Sequence, residues 1–270
     1  MLKDKKIGFI GAGTMAKAII KGFLSAQAAY AENILASEIT EELAGKASAD
    51  LGVKVVTDNK EIARHSDIIF LCVKPGVLES VLYEIKDNIT REKLVVSIAA
   101  GVSTDFIAQA LEHKTHVVRV MPNTPAIVGE GMSAVCKGRH ATDEEADFVL
   151  ELFNCIGRTI RIPEKLIDAA TAMSGSGPAF VFSFIEAMAN GGLKLGLTKK
   201  AAIELAAQTC LGAAKMVLET GKHPSVLKDE VSTPGGCTIA GLLTMEEEGV
   251  PSGMAKTIIE TAKTASGMGK

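Results

Sequence analysis

A glycine-rich hexad placed between a short apolar run and a helical pattern is the feature that most limits the fold. Residues 11–16 read GAGTMA, fit the pattern G-x-G-x-x-A and directly follow the apolar run Lys6–Ile10. In that setting Gly11 permits a tight turn, Gly13 lets the backbone approach a pyrophosphate, and Ala16 allows close helix–strand packing. The start of the helix also offers unpaired N–H groups and a partial positive charge to phosphates. The hexad therefore predicts a strand–turn–helix unit that holds a dinucleotide.

The first half of the chain alternates short apolar runs with helical patterns. Strands separated by helices imply right-handed crossovers and a parallel sheet. Two later runs, Met132–Cys136 and Arg158–Ile162, are expected to extend one edge of that sheet. After Pro163 the strand pattern stops and helical patterns follow. The sequence thus predicts an α/β protein, with an N-terminal Rossmann-like, mostly parallel sheet domain over residues 1–162 and an all-helical domain over residues 163–270.

Composition narrows the class of protein and the class of partner. The 270 residues are 47% hydrophobic and 23% charged, so the chain can bury a core and remain soluble. The net charge of −3, without a basic patch and without Trp, argues against a nucleic-acid partner. No apolar run reaches about 18 residues and no apolar leader precedes the first strand, so a cytoplasmic location away from membranes is expected. Since no cluster of His, Cys and carboxylates has metal-ligand spacing, no metal is expected.

The end of the second predicted strand, in the stretch ILASE, bears on the choice between NADH and NADPH. An acidic residue at this place binds the 2′-hydroxyl of the ribose and repels a 2′-phosphate. Ser37 can hydrogen-bond either group, whereas Glu38 lies one step further and either faces the ribose or points away. No arginine is adjacent to clamp a 2′-phosphate. These residues leave both NADH and NADPH open.

Two loops leave the carboxyl ends of later strands, where folds of this kind bind ligands. They read VKPG, residues 73–76, and SIAAG, residues 97–101. Lys74 is either a ligand for a phosphate or an anionic substrate, or a solvated loop lysine. Asn59, in front of a predicted helix, is either a helix cap or a ribose ligand. Both loops are therefore candidate walls of the cofactor site.

Two further glycine-rich stretches precede helices in the second half. They are SGSGP, residues 174–178, and STPGGCT, residues 232–238. Both present hydroxyls and backbone N–H groups at a helix start, which favours a small anion such as a carboxylate. An ordinary helix cap needs only one such hydroxyl, so this density of small polar residues favours a substrate site over a structural turn.

The helical pattern Lys199–Thr220 carries an apolar face that is rich in small residues. Small residues at helical spacing let two helices approach closely. The pattern therefore predicts a homodimer formed through the helical half of the chain. The residues of that face are Ile203, Ala206, Ala207, Cys210, Ala213, Ala214 and Val217.

Residues 227–246, LKDEVSTPGGCTIAGLLTME, closely resemble the signature of pyrroline-5-carboxylate reductases, the last enzymes of proline biosynthesis. The stretches GFIGAGTMA, HSDIIFLCVKP, SIAAGV, RVMPNTPA, AMSGSGPAF, NGGLKLGL and LGAAKM match the family in the same order along nearly the whole chain. The resemblance implies a Rossmann-like domain followed by an all-helical dimerisation domain, assembled as a homodimer or a larger ring of dimers. It also implies hydride transfer from NADPH or NADH to the cyclic imine 1-pyrroline-5-carboxylate, which gives L-proline.

The resemblance assigns site residues motif by motif. Thr238 is the implied catalytic residue, since its hydroxyl would hydrogen-bond the ring nitrogen of the imine. Glu38 departs from the basic or neutral residue that many bacterial members carry there, so a preference for NADPH is not implied. The implied substrate-binding residues are Ser176, Thr233, Gly235, Gly236 and Thr238. The implied cofactor-binding residues are Ile10, Gly11, Ala12, Gly13, Thr14, Met15, Ser37, Asn59, Cys72, Val73, Lys74, Pro75, Ile98, Ala99 and Ala100.

Two other functions fit part of the pattern. A 3-hydroxyacid dehydrogenase-like oxidoreductase shares the two-domain plan but needs a lysine on an interdomain helix. Lys194 ends its predicted helix and Lys165 precedes one, so neither lysine fits that role well. A non-catalytic NAD(P)-binding redox sensor needs the first glycine cluster and not the second, and turnover of an imine would exclude it.

Overall fold

A computed structural model of the chain describes residues 4–112 and 114–267. The chain divides into two compact units. The first unit is Met1–Ser176 with Thr261–Lys270, and the second is Gly177–Glu260. The domain boundary predicted between residues 162 and 163 marks the end of the strand pattern in the sequence and stays a prediction.

The first unit is built around one eight-stranded sheet. Its strands are β1 (Ile7–Ile10), β2 (Ile34–Ser37), β3 (Lys54–Val56), β4 (Ile68–Leu71), β5 (Leu94–Ser97), β6 (His116–Met121), β7 (Gly131–Lys137) and β8 (Gly157–Arg161). Their order is β3-β2-β1-β4-β5-β6-β7-β8, and neighbours run parallel except for the antiparallel pair β6 and β7. The last two strands extend one edge of the sheet, as the sequence predicts. The α/β fold class with a mostly parallel, Rossmann-like sheet is confirmed.

Helices connect the strands and make up the C-terminal part of the chain. The helices up to residue 170 are α1 (Thr14–Ser25), α2 (Glu41–Leu51), α3 (Asn59–His65), α4 (Pro75–Ile85), α5 (Thr104–Leu111), α6 (Asp143–Phe153) and α7 (Ile167–Ala170). A single π-helical turn, Thr171–Gly175, follows α7. The later helices are α8 (Gly177–Lys194), α9 (Lys199–Thr220), α10 (Pro224–Glu230), α11 (Cys237–Glu247) and α12 (Val250–Gly267).

Four phenylalanines mark the centre of the core in the first unit. Phe9 of β1 stacks on Phe70 of β4 with ring centroids 4.6 Å apart. Phe23 and Phe153 meet the Phe70 ring at 5.8 and 6.2 Å. All four rings are fully buried, and a second apolar cluster around Leu71 involves the helices α3, α4 and α5. Strands buried on both faces are typical of a parallel sheet covered by helices, and this packing fixes the ends of the strands from which the site loops begin.

In the second unit α8 and α9 pack against each other through small residues. Ala189 of α8 and both Ala202 and Ala206 of α9 are buried. A Cβ built on Gly192 would lie 3.3 Å from the Cβ of Ala202, so the two helices approach closely there. The small-residue face predicted for α9 is therefore divided, because Ala206 packs within the protomer whereas Ile203 is 43% exposed.

The other side of α9 displays large apolar residues to solvent. Leu205, Leu211 and Leu218 are each more than half exposed. Over the residues that the structure describes, α9 is the one helix long and apolar enough to cross a membrane by length and composition alone. Glu204 and Lys215 interrupt its apolar pattern. Leu211 and Leu218, seven residues apart, share one face of the helix, whereas Leu205 lies about a third of a turn away around it. Exposed apolar side chains on a helix that also carries charges are typical of an interface with another protein chain.

Candidate cofactor and substrate sites

The turn between β1 and α1 contains two glycines that are needed for different reasons. Gly11 has a φ of +92°, and a Cβ there would lie 2.9 Å from the carbonyl oxygen of Cys72, so the chain itself requires glycine. Gly13 has a φ of −69°, which any residue can adopt, and a Cβ built on it meets no atom of a described residue within 4 Å. Packing within the protein therefore does not explain Gly13, whereas a ligand lying against the backbone does.

The backbone N–H groups in the first turn of α1 are available to bind an anion. Within residues 4–112 of the structure, no side chain caps this helix and no acidic residue lies in its first turn. Lys17 and Lys21 both pair with Asp50, at 2.9 and 2.6 Å, so these cations are already engaged. The N-terminal N–H groups and the helix dipole are therefore the groups that can hold a pyrophosphate.

Ser37 links the glycine-rich turn to the loop after β3. Its hydroxyl donates a hydrogen bond to Oδ1 of Asn59 at 2.7 Å and accepts one from the N–H of Gly11 at 3.4 Å. Nδ2 of Asn59 then donates to Oε2 of Glu84 at 2.9 Å. Three residues that were predicted separately as cofactor ligands, Gly11, Ser37 and Asn59, are thus joined in one hydrogen-bonded set.

Asn59 does not cap its helix. The N-terminal cap of α3 is Asp58, whose carboxylate accepts a hydrogen bond from the N–H of Lys60 at 2.8 Å, and Asn59 is the first helical residue. The interpretation of Asn59 as a helix cap is therefore wrong. Its side chain is instead turned toward Ser37 and Glu84.

The ends of β1, β4 and β5 bring two more predicted loops beside the glycine-rich turn. The N–H of Cys72 bonds the carbonyl of Ile10 at 2.9 Å, and the N–H of Ile98 bonds the carbonyl of Leu71 at 3.2 Å. These bonds continue the parallel ladders past the strand ends. Burial raises the pKa of the Cys72 thiol, so this cysteine is a neutral wall residue rather than a nucleophile.

We call the region formed by the loops after β1, β2, β4 and β5 the carboxyl edge. Lys74, Ala99 and Ala100 lie there as well: Lys74 is exposed at the N-terminal cap of α4, and Ala99 is almost fully buried. Pro75 is the first residue of α4, where its missing N–H costs nothing. The carboxyl edge thus collects the predicted cofactor-binding residues, through the pairing of their strands.

The SGSGP stretch begins within the π-helical turn that precedes Ser176. Asn123, which is 8% exposed, donates from Nδ2 to the carbonyl of Ser174 at 2.9 Å and accepts from the N–H of Met132 at 2.8 Å. The hydroxyl of Ser174 bonds back to the carbonyl of Ala170 at 2.9 Å, a local bond that competes with regular helix geometry. An apolar pattern predicts an ordinary α-helix here, and these polar contacts explain the difference.

Asn123 is a residue that sequence reasoning missed. The sequence feature that could have indicated its role is its place between two prolines, in MPNTP, directly after β6. The same contacts position Ser176, whose N–H bonds the carbonyl of Thr171 at 2.8 Å. Gly175 is held close to Met121, since a Cβ on it would lie 2.9 Å from the Met121 methyl group.

The STPGGCT stretch forms the loop between α10 and α11 in the second unit. Gly235 has a φ of +66°, and a Cβ on Gly236 would collide with the Thr233 hydroxyl, so both glycines are required by the loop itself. Gly236 occupies the cap position of α11, and no side chain of the described residues caps that helix. Thr238 is half-buried in the first turn, and its hydroxyl makes no hydrogen bond to a described residue.

The arrangement of α11 therefore resembles that of α1. Its first turn holds no acidic residue. Its N-terminal N–H groups and the Thr238 hydroxyl are together available to a small anion with a nearby polar atom. Among the residues that the structure describes, no three His, Cys, Asp or Glu side chains come together as a metal site.

Comparison with known proteins places these features in one family. Residues 164–268 match the model described as pyrroline-5-carboxylate reductase dimerisation, and residues 6–101 match that described as NADP oxidoreductase coenzyme F420-dependent. The pyrroline-5-carboxylate reductase of Methanosarcina acetivorans is 48% identical over 269 residues, covering 100% of both chains. That of Escherichia coli is 40% identical over 267 residues, covering 99% of both chains. The chain belongs to the pyrroline-5-carboxylate reductase family.

Solved structures of reductases agree with this assignment. A pyrroline carboxylate reductase from Plasmodium falciparum with NADP bound has a TM-score of 0.88 and 32% identity, covering 99% of each chain. A pyrroline-5-carboxylate reductase from Coxiella burnetii has a TM-score of 0.92 and 31% identity, covering 98% of this chain and 99% of that one. The family resemblance predicted from the motifs is confirmed, and with it the enzyme class, an NAD(P)H-dependent oxidoreductase with a dimerisation domain.

Proposed function

We propose that this protein reduces 1-pyrroline-5-carboxylate to L-proline with NADH or NADPH, as the last step of proline biosynthesis. The observation that carries the proposal is the full-length similarity to reductases of that name. The geometry supports it through two helix starts, those of α1 and α11, that are both free of acidic residues in the first turn. One suits a pyrophosphate and the other suits the carboxylate of a small imine.

The carboxyl edge is the proposed cofactor site. When bound there, the reduced nicotinamide supplies a hydride to the imine carbon, and the ring nitrogen takes a proton to end as an amine. The N–H groups at the start of α1 hold the pyrophosphate, and Gly13 allows its close approach. The loops at Cys72–Pro75 and Ile98–Ala100 line the path of the dinucleotide, and Ser37 and Asn59 fix the shape of the turn.

The loop before α11 is proposed to bind the substrate, and the family resemblance assigns the same role to Ser176. The carboxylate of the substrate accepts hydrogen bonds from the N–H groups at the start of α11 and from Thr233. The hydroxyl of Thr238, which has no partner among the described residues, hydrogen-bonds the ring nitrogen and guides its proton. A protonated imine is already electrophilic, so positioning supplies much of the catalysis and no strong general acid is needed.

The two alternative functions lack support in the structure. Lys194 is the last residue of α8, and Lys165 lies in a short 3₁₀ turn before α7. Neither lysine lies in the interior of an α-helix, where a 3-hydroxyacid dehydrogenase would need its base. A redox sensor binds only the dinucleotide, so this function does not explain the uncapped start of α11 or the Thr238 hydroxyl.

A turnover assay tests the proposal directly. Purified protein is expected to oxidise NADH or NADPH when given 1-pyrroline-5-carboxylate, and amino-acid analysis is expected to find proline in equal amount. Omission of the imine is the control for cofactor oxidation alone. If folded protein forms no proline with either cofactor, the proposal is wrong.

The proposal extends to assembly and location. The exposed leucines of α9, which are Leu205, Leu211 and Leu218, are proposed to meet a second copy of the chain. Rings of such dimers are the larger assembly that the family resemblance implies. Such an interface would cover the helix that otherwise has the length and composition of a membrane span. With a net charge of −3 and no basic patch, we propose a cytoplasmic enzyme that binds neither nucleic acid nor membranes.

Light scattering tests the assembly. At micromolar concentration the mass is expected to be at least twice that of the 28.2 kDa chain, because burying several exposed leucines stabilises a dimer. Dilution is expected to leave the mass unchanged if the interface is extensive. A mass of a single chain at micromolar concentration contradicts the proposed dimer.

A further inference from the structure

We infer that this chain prefers NADH to NADPH and that the carboxylate of Glu38 sets the preference. The inference rests on the proposed function only in placing the adenosine ribose at the carboxyl edge. In dinucleotide-binding folds the 2′ position of that ribose lies at the end of the second strand, which here is the end of β2. The two cofactors differ at that position alone, since NADPH carries a phosphate where NADH carries a hydroxyl.

Ser37 cannot act as a donor to a 2′-phosphate in this structure. A serine hydroxyl has one hydrogen to donate, and that of Ser37 is directed at Oδ1 of Asn59 at 2.7 Å. The side chain is only 2% exposed, and its oxygen also accepts the N–H of Gly11. Phosphate oxygens accept hydrogen bonds and therefore need donors. The hydroxyl of Ser37, at the end of β2, instead uses its hydrogen in the bond to Asn59 that shapes the turn.

The backbone of Glu38 is fixed at the end of β2, and its carboxylate makes one local hydrogen bond. Its N–H donates to the carbonyl of Val56 at 2.9 Å, which extends the ladder between β2 and β3 by one residue. Its carboxylate accepts a hydrogen bond from the N–H of Ile39 at 3.3 Å. A carboxylate held there can accept a hydrogen bond from a ribose 2′-hydroxyl, and it repels a 2′-phosphate of charge about −1.5 to −2.

The start of α2, the next group along the carboxyl edge, is also closed to a phosphate. Thr40 caps the helix by accepting the N–H of Leu43 at 3.3 Å, and Glu41 and Glu42 occupy the first turn. A side-chain cap and two carboxylates satisfy and neutralise the positive end of the helix. The start of α1, in contrast, has no side-chain cap and no acidic residue in its first turn. The start of α1 can therefore hold the pyrophosphate, whereas the start of α2 excludes a second phosphate.

Two of the cations near the end of β2, Lys46 and Arg64, are paired with carboxylates, and Lys60, over the part of the chain that the structure describes, is not. The stretch ILASEITEELAG, residues 34–45, has no Lys or Arg, and Lys46, which follows it, pairs with Glu42. On the neighbouring β3–α3 side, Arg64 pairs with Asp58 at 3.2 Å. Lys60 of α3 makes no ion pair with a described residue, so it is the cation whose role the experiment must separate from that of Glu38.

Equilibrium titration of the purified protein with NADH and with NADPH, in the absence of imine, tests the inference. A single like-charge contact at roughly 5 Å, partly screened by solvent, corresponds to about tenfold in binding, so NADH is expected to bind about tenfold more tightly or better. Glu38→Gln keeps the shape of the side chain and removes its charge, so the ratio of the two dissociation constants is expected to approach one through tighter NADPH binding. Glu38→Arg is expected to reverse the ratio, because a guanidinium pairs with the phosphate.

Glu42→Gln is the matched control, because it removes one equal charge from the same helix start but from a carboxylate that Lys46 holds. Its ratio is expected to change far less than that of Glu38→Gln, because Lys46 already offsets the Glu42 charge. Equal or tighter binding of NADPH by the unmodified protein overturns the inference, as does an unchanged ratio in Glu38→Gln. A selective loss of NADPH affinity in Lys60→Gln also overturns it, since the 2′-phosphate would then lie against Lys60. Failure to bind either cofactor would instead overturn the proposed function and this inference together.

Discussion

Replacing Gly13 with valine should weaken the binding of NADH and NADPH by about a hundredfold or more, while the fold stays intact. A pyrophosphate at the start of α1 accepts hydrogen bonds from backbone N–H groups, and hydrogen bonds to charged groups contribute about 1.5–3 kcal/mol each. A valine side chain in front of those groups would displace the phosphates from two such bonds or more. The loss corresponds to the hundredfold change, since about 1.4 kcal/mol is a factor of ten.

The structure explains why Gly13, and not Gly11, gives a clean test. A Cβ on Gly13 meets no protein atom within 4 Å, and its φ of −69° suits any residue. A Cβ on Gly11 would press against Cys72 at a φ of +92°, so its replacement would damage the turn itself. The Gly13→Val protein is therefore expected to melt within a few degrees of the unmodified protein.

Fluorescence titration with reduced cofactor and a thermal melt of the same samples measure both effects. Gly45→Val is the matched control, because Gly45 lies within α2 and a Cβ there also meets no protein atom within 4 Å. That variant is expected to bind both cofactors normally. Undiminished affinity in Gly13→Val would mean that the hexad is only a structural turn.

Replacing Thr238 with valine should lower kcat/KM for the imine far more than it lowers cofactor binding. Valine keeps nearly the shape of threonine and removes the hydroxyl, which in this structure has no partner among the described residues. If that hydroxyl bonds the ring nitrogen, its loss removes about 1–3 kcal/mol of transition-state binding. That corresponds to roughly tenfold to a hundredfold in kcat/KM at fixed cofactor concentration. Thr238→Ser keeps the hydroxyl and is expected to retain more activity.

A purely structural role for Thr238 gives a different pattern. If the side chain only stabilised the start of α11, valine would lower the melting temperature and leave the rate per folded enzyme near normal. Thr244→Val is the matched control on the same helix, because the Thr244 hydroxyl bonds the carbonyl of Ala240 at 3.2 Å. It is expected to keep its turnover rate. An unaltered rate in Thr238→Val removes Thr238 from the catalytic residues.

The parts of the fold that follow from local patterns were predictable from the sequence. The hexad, the strand runs and the helix starts are set by neighbours within a few residues, and the parallel sheet follows from their alternation. Gly11 illustrates this, since its turn was predicted from spacing and its φ is +92°. The α10 helix, Pro224–Glu230, is not predicted from the sequence.

Features of the site that depend on distant partners were not predictable. The sequence left Ser37 as a ligand of either cofactor, and only its contact with Asn59, 22 residues away, shows that its donor is used. Asn59 was interpreted equally as a cap, yet the neighbouring Asp58 has that role. Asn123 was missed because its partners, Ser174 and Met132, are brought to it by the folding of the sheet and not by spacing.

The position of β1 in the middle of the sheet has a consequence for how the chain is made. It precedes the other seven strands of this sheet along the chain, yet its second neighbour, β4, begins only at Ile68. Until then Ile7–Ile10, fully buried in the finished protein, has one side of its backbone unpaired. At roughly 5–20 residues per second, that interval lasts on the order of 3–12 s. Until β4 is made, the unpaired side of β1 is therefore an open edge at which the nascent chain can pair with another chain.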